Sequence, residues 1–348
     1  MRIANKEIGL NFNPYIIAEI GVNYDNDLDY AEVLIKAAKR TGVDAVKFQT
    51  YTPSKIVAIS SPKYWDDDKP DETQYEFFER SNRFYHEETK ELARLCKMND
   101  ISFMSTPFDL DSVKLLDDLG VPAFKIASAD ITNFPLLRKV AKTGKPVILS
   151  TGASSIGEIE EAAKKIEEEG NKNIILLHCI LAYPTPADHS NLLMIKCLRD
   201  IFPKYEIGWS DHVVPDESVT IPTIATVLGA SVIEKHFTTD RTRPGNDHFH
   251  SVDEELMTRL VKNVQLAKVS MGEYLKQSMP VEESARLNAR RSIAAYKPIK
   301  EGEKFSETNL VMLRPGFGIH PKFLEHIIGR KAKRDIKPGH LLEWEDIF

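Results

Sequence analysis

Eight times along the chain a short apolar run ends in a polar or charged residue and gives way to a stretch with helical spacing. The runs are Tyr15–Ile20, Asp44–Gln49, Ile101–Thr106, Ala123–Ser128, Pro146–Thr151, Asn173–Cys179, Tyr205–Ser210 and Ser231–His236. Runs this short and rich in Val, Ile and Phe read as buried strands. Alternating with amphipathic helices, they read as βαβ units on a parallel sheet. Eight such units predict an α/β fold of the closed (β/α)8 TIM-barrel type, whose active site lies at the C-terminal strand ends. The residues at those ends are Glu19, Lys47, Gln49, Thr106, Lys125, Ser128, His178, Ser210, His212, Glu234 and His236. Core packing alone does not call for such a set, so the pattern points to an enzyme.

Helix signals fill the intervals. Asp27–Arg40, Asp109–Gly120, Ile156–Gly170 and Ser251–Val269 carry apolar residues at helical spacing, and the second opens on an acid and closes on Gly. Thr50–Arg83 breaks the rhythm; a connection that long is expected to be functional or partly disordered, and in a barrel to overhang the second strand's catalytic end. Its Asp66-Asp67-Asp68 run has no ligand spacing and reads as a solvated acidic turn. The barrel is assigned to residues 1–275 and a polar linker to 276–289. Residues 290–348 are assigned to a small β-rich domain with two similar turns, Ile299–Gly302 and Ile336–Gly339. Such a domain, about 60 residues, is near the lower limit for independent folding and is expected to pack against the barrel or a second chain.

A net charge of −6 with dispersed Lys and Arg excludes an extended nucleic-acid surface while leaving room for a local anion pocket. Cys96, Cys179 and Cys197 form no CxxC, the opening residues lack a signal-peptide core, and no apolar stretch spans a membrane. A cytoplasmic enzyme is the expectation.

His212 and His236 close neighbouring strands about 5 Å apart, so their imidazoles can converge on one divalent ion such as Mn, Fe, Co or Zn. Two hydrogen-bonded structural histidines are the bland alternative. Lys47 and Lys125 lie inside apolar strands, where an unpaired ammonium is costly; each therefore faces an anion. That anion is a substrate phosphate or carboxylate, with Thr106, Ser128 and Ser210 adding hydroxyls, or else Glu19 or Glu234 in a barrel salt bridge. A Schiff-base lysine is a third reading. Walker, dinucleotide, zincin and nucleophile-elbow motifs are absent from the sequence.

The segments IAEIGVN (17–23), DAVKFQT (44–50), STPFD (105–109), FKIAS (124–128), STGA (150–153), HCILAYPTP (178–186), IGWSDH (207–212) and EKHFTTDRTRPGND (234–247) occur in that order. With these, the chain resembles the sialic acid synthase family, which condenses phosphoenolpyruvate with an N-acetylated hexose. The tail from Ser292, including LRPGFG (313–318), resembles that family's antifreeze-like (SAF) domain. The resemblance implies that His212 and His236 hold a divalent metal, Mn²⁺ first with Mg²⁺ or Co²⁺ as alternatives. It places Lys47, Thr106, Lys125, Ser128 and Ser210 at phosphoenolpyruvate and Gln49, Asp130, Tyr183 and Asp247 around the acceptor sugar. Glu19 falls at the reacting centre, and Arg314 is lent to the other subunit's site in a domain-swapped homodimer.

Three departures stand out. The family's G-V-N-H-N-G is here Gly21-Val22-Asn23-Tyr24-Asp25-Asn26, and Leu181 stands where some members place Asn near phosphoenolpyruvate. His248-Phe249-His250 follows Asp247; it is read as packing and hydrogen bonding in a loop, with acceptor selection or an extended metal shell as alternatives. The implied product is N-acetylneuraminate, made from N-acetylmannosamine with C–O cleavage of phosphate. Acceptor 6-phosphate or diacetamido hexoses, giving the 9-phosphate, legionaminic or pseudaminic acid, are the alternatives. A metal-independent aldolase using Lys47 or Lys125, or a carbohydrate-binding tail on a scaffold barrel, are the competing classes.

Overall fold

The computed structural model describes the chain except residues 66–68, 70, 82–84 and 246, so the acidic turn read at Asp66–Asp68 lies outside the described residues. All eight apolar runs are strands: β1 (Tyr15–Gly21), β2 (Ala45–Thr50), β3 (Ser102–Pro107), β4 (Phe124–Ile126), β5 (Val147–Ser150), β6 (Ile174–Cys179), β7 (Glu206–Asp211) and β8 (Val232–His236). They pair in parallel in the order β3-β2-β1-β8-β7-β6-β5-β4, and β3 and β4 lie side by side where the ring closes. The result is a near-closed TIM-like barrel.

Period-two alternation sorts each strand. Tyr15, Ile17, Ala45, Met104, Ala123, Ile148, Ile175, Leu177 and Val232 form an apolar cluster inside the barrel, joined by Ile3 and Ile8 from the N-terminal segment that holds the Arg2–Ile3/Lys6–Glu7 hairpin. One or two positions further along the same inward row the residues turn polar: Glu19, Lys47, Thr106, Lys125, Ser150, Ser210 and Glu234. The opposite row, including Ile16, Val46, Phe124, Leu149, Leu176 and Ile233, packs under the helices. Gly208 is required on β7, because a Cβ there would come within 2.5 Å of the Leu177 side chain and the Val232 carbonyl.

The helices follow α1 (Leu28–Thr41), α2 (Tyr85–Met98), α3 (Leu110–Asp118), α4 (Phe134–Ala141), α5 (Ile156–Glu168), α6 (Leu193–Ile201), α7 (Thr220–Val227) and α8 (Glu254–Met271). Asp27 caps α1 by accepting from the Asp29 and Tyr30 N–H groups, and Ser155 and Glu158 form a capping box on α5. The sequence placed the start of α8 at Ser251; it begins at Glu254 because Asp253 is the cap, accepting from the Leu256 N–H. The long β2–α2 connection contains two short helices, Pro53–Ile56 and Gln74–Arg80.

Contacts divide the chain into Met1–Gly272 and Glu273–Phe348. In the second unit a short exposed helix, Glu283–Ala289, occupies part of the stretch read as a polar linker. Strands β9 (Ser292–Ala295) and β10 (Leu310–Leu313) pair antiparallel over a separate core that includes Ile293, Ile299, Phe305, Ile327 and Leu342. The two similar turns pair with each other: the Ile299 and Ile336 N–H groups each donate to the other's carbonyl, at 3.0 and 2.8 Å.

Candidate active site

At the C-terminal mouth of the barrel the inward polar row converges on one cavity. It is lined by Glu19, Lys47, Gln49, Thr106, Lys125, Ser128, Tyr183, Ser210, His212, Glu234, His236 and Asp247, all candidates from the sequence or the resemblance. The bulge at the end of β1, where pairing with β2 slips between Glu19 and Gly21, lies directly beside Glu19, and Gly21 takes φ 57° there.

Two lysines and two carboxylates form a buried, open ring in the order Glu19–Lys47–Glu234–Lys125. Lys47 Nζ lies 2.6 Å from Glu19 Oε2 and 3.7 Å from Glu234 Oε2, and donates to Thr106 Oγ1 at 3.1 Å. Lys125 Nζ is 3.3 Å from Glu234 Oε1, which also accepts from Ser210 Oγ at 2.9 Å. The barrel salt bridge left open by the sequence is therefore formed, and it sits in the cavity wall. Burial works against the charge on Glu234, yet Lys125 and Lys47 hold its pKa down to about 2. Glu19 shares only part of that field: burial, reinforced by negative Glu234, outweighs Lys47 and pushes it up to about 7. Lys47, though opposed by burial, is held above its ordinary value by the two carboxylates. Two carboxylates with divergent pKa values are the arrangement of a fixed charge and a proton carrier. A Schiff-base lysine needs a lowered pKa, the opposite of what Lys47 has.

Beside this ring lie the imidazoles. His212 Nδ1 donates to the Ile180 carbonyl at 2.9 Å, which leaves Nε2 as the ligating nitrogen. The His236 ring centroid is 5.5 Å away, and its buried Nδ1 has no hydrogen-bond partner. Burial drives the pKa of His212 down to about 4 and that of His236 well below its usual value, so both are neutral, the form a metal binds. These donors fit a divalent cation. Asp247, pushed up to about 6 by burial, lies 3.6 Å from His236 Nδ1. The Tyr183 ring lies tilted over His212, with ring centroids 4.1 Å apart.

Several sequence candidates fall elsewhere. His178 points outward from β6: it bonds the Ser190 carbonyl at 2.9 Å and packs 4.9 Å from the Trp209 ring, because it shares the row of Leu176 rather than that of Leu177. Asp130 is not part of the cavity lining; in the turn after β4 its carboxylate accepts from Asn133 Nδ2 at 3.0 Å. Arg314 belongs to the second unit, where it is exposed. Tyr24 packs edge-on against Phe48 under the helices, whereas Leu181 lines the cavity.

Other lining groups were missed. Tyr64, Trp65, Phe77 and Phe78 come from the long β2–α2 connection, Phe108 follows β3, and Phe249 follows Asp247. The length of the connection was the sequence signal for the first four, while Phe249 and His250 lie in the stretch for which acceptor selection or an extended metal shell were the alternatives to loop packing. His250, fully buried, lies against His236 with ring centroids 4.8 Å apart. His248 instead bonds Thr238 Oγ1 through Nδ1 at 2.8 Å, as a loop-packing residue does.

An α/β barrel whose mouth combines a lysine–carboxylate ring with neutral imidazoles defines an enzyme that handles a small anionic substrate. The chain belongs to the NeuB family, whose model matches residues 34–276, and its tail is an SAF domain, matched over residues 290–347. It is 43% identical to an uncharacterized protein of Methanocaldococcus jannaschii, covering 100% of this chain and 98% of that one. It is 40% identical to the N,N'-diacetyllegionaminic acid synthase of Campylobacter jejuni, covering 94% and 98%. Among solved structures, the N-acetylneuraminic acid synthetase of Leptospira borgpetersenii in complex with citrate matches with a TM-score of 0.72 at 32% identity, over 82% of this chain and 94% of that one. Among the described residues no helix is long and apolar enough to cross a membrane.

Proposed function

We propose that this protein is a nonulosonic acid synthase that joins phosphoenolpyruvate to an open-chain N-acetylated hexose and releases phosphate. The observation that carries the reading is the buried ring of Lys47, Lys125, Glu19 and Glu234 beside neutral His212 and His236. Lys47 and Lys125, with the Thr106, Ser128 and Ser210 hydroxyls, hold the phosphate and carboxylate, displacing their present carboxylate partners. A divalent cation held by His212 and His236 would supply Lewis-acid polarisation of the sugar aldehyde. Carbon 3 of phosphoenolpyruvate forms the new C–C bond with the aldehyde carbon, and water adds to the cationic carbon 2. Glu19 takes the water's proton and passes it to the new hydroxyl. The C–O bond to phosphate then breaks as the carbon 2 hydroxyl gives its proton to the departing phosphate, leaving the 2-keto acid and inorganic phosphate.

Gln49, Tyr183 and Asp247 line the side of the cavity assigned to the acceptor. The aromatic wall of Tyr64, Trp65, Phe77, Phe78 and Phe249 favours a hexose bearing two N-acetyl groups over N-acetylmannosamine, because each acyl methyl gains from burial against an apolar face. We assign Arg314 to the acceptor site of a second subunit in a domain-swapped homodimer, on the family resemblance. Three free cysteines suit a cytoplasmic enzyme. The test is a panel of N-acetylmannosamine, its 6-phosphate and 2,4-diacetamido hexoses with phosphoenolpyruvate and Mn²⁺, following phosphate and 2-keto acid. Turnover is expected with the diacetamido sugars foremost and is lost with EDTA. No turnover on any acceptor overturns the synthase reading.

A further inference from the structure

The metal shell implied by the family resemblance stops at His212 and His236, and the loop after β8 brings two more donors beside His236, in a set of three that does not include His212. Asp247 stands between two imidazoles with one carboxylate oxygen toward each: Oδ2 lies 3.6 Å from His236 Nδ1, and Oδ1 lies 3.9 Å from His250 Nε2. One donor atom from each of His236, Asp247 and His250 lies within 4.8 Å of the others. Two donors of one ion, each at about 2.2 Å, are about 3.1 Å apart when adjacent and about 4.4 Å when opposite, so closing the set takes shifts of up to about an ångström. Tyr183 is the common neighbour of the three imidazoles, its ring centroid 4.1, 6.3 and 6.0 Å from those of His212, His236 and His250. His250 is buried on a rigid footing, since the neighbouring Ser251 hydroxyl bonds the Asp247 carbonyl and accepts from Asn23 Nδ2 at 3.1 Å.

We propose that His250 is a third imidazole ligand of the divalent metal, joining His212 and His236, with Asp247 as the carboxylate of the shell. The reason is chemical as much as geometric: imidazole and carboxylate donors together suit Mn²⁺, Fe²⁺, Co²⁺ or Zn²⁺. A shell with a third imidazole would hold its ion more tightly than a two-histidine shell completed by water. The inference takes the metal of the proposed synthase reaction as given, and it is tested by metal binding rather than turnover, so the two can fail separately.

The full-length protein is stripped with EDTA and titrated with Mn²⁺, free ion being read by EPR, for the wild type and for His250→Ala, His250→Gln and His248→Ala. Both His250 variants are expected to bind Mn²⁺ about tenfold or more weakly, and His248→Ala to bind as the wild type does. Pulsed EPR of the wild-type Mn²⁺ complex, which needs no variant to fold, is expected to show three imidazole nitrogens. Affinities of the His250 variants within about twofold of wild type, an equal loss in His248→Ala, or only two imidazole nitrogens on the wild-type ion would each overturn the assignment.

Discussion

In the mechanism we propose, Glu19 is the residue on which the chemistry turns, because its neighbour Glu234 takes the larger share of the lysine field and leaves Glu19 with a pKa of about 7. Its folded pKa lies above the usual carboxylate value, so the folded protein retains this proton up to about pH 7. Stability from this group is therefore full at low pH and falls as pH rises through that window. Only the carboxylate can accept the water's proton, so kcat/KM is expected to rise with pH through about 7. Glu19→Gln should cost about 10²- to 10⁴-fold in kcat and remove that limb; pH–rate profiles of both proteins check it. At this scale much of the site was legible. An ammonium or carboxylate inside a Val/Ile run, as at Lys47, Lys125 and Glu234, announces a polar barrel mouth. His178 misled because it too ends an apolar run; the register by one residue, which decides inside from outside, shows only when the strand is counted against Leu177. His250 left no periodic signal, since a loop has no fixed period.

At the scale of elements, β7 and β8 are clamped on their outer face by a buried ion pair that the sequence reading passed over. Lys235 Nζ lies 3.3 Å from Asp211 Oδ2 and also donates to the Asp211 and Val213 carbonyls, so it ties the β7 exit loop to β8. His212 and His236 are the next residues along those two strands, and the clamp therefore sets their separation. Burial lowers the Lys235 pKa and raises that of Asp211, so neither charge is tolerated alone. Lys235→Met should destabilise by about 3–5 kcal/mol, and adding Asp211→Leu should recover much of that loss. Denaturant unfolding of the single and double variants measures it. Alternation around Glu234 and His236 already implied that Lys235 points outward; what it could not supply was the partner, which is on another strand. The β2–α2 connection shows the converse: its length was visible, while the aromatic side chains it delivers became meaningful only once the chain was folded over the mouth.

For the whole molecule, the break in grammar after Met271 marked a second unit, because Pro, Gly and short alternating runs replace the helix–strand rhythm. Its separate core explains how so short a segment holds a shape, and the mutual pairing of the Ile299 and Ile336 turns is what the repeated I-K-x-G strings encode. In the swapped dimer we propose, Arg314→Ala should raise the acceptor KM or lower kcat with the phosphoenolpyruvate KM nearly unchanged, since a planar guanidinium donates two hydrogen bonds at once. Mixing Arg314→Ala with an inactive His236→Ala protein should restore part of the activity through one intact site per mixed dimer. Subunit exchange shown by two affinity tags with no activity regained would place Arg314 outside the partner's site. The cavity itself is built from two kinds of material. The charged ring stands on strands whose lower positions form the barrel core, while most of the aromatic wall stands on connections between strands. Connections can be exchanged without disturbing the layers beneath them, so the scaffold is an evolvable one. On the proposed reading that the aromatic wall selects the acceptor, grafting residues 59–80 between relatives is a direct route to making nonulosonic acids with new acyl patterns.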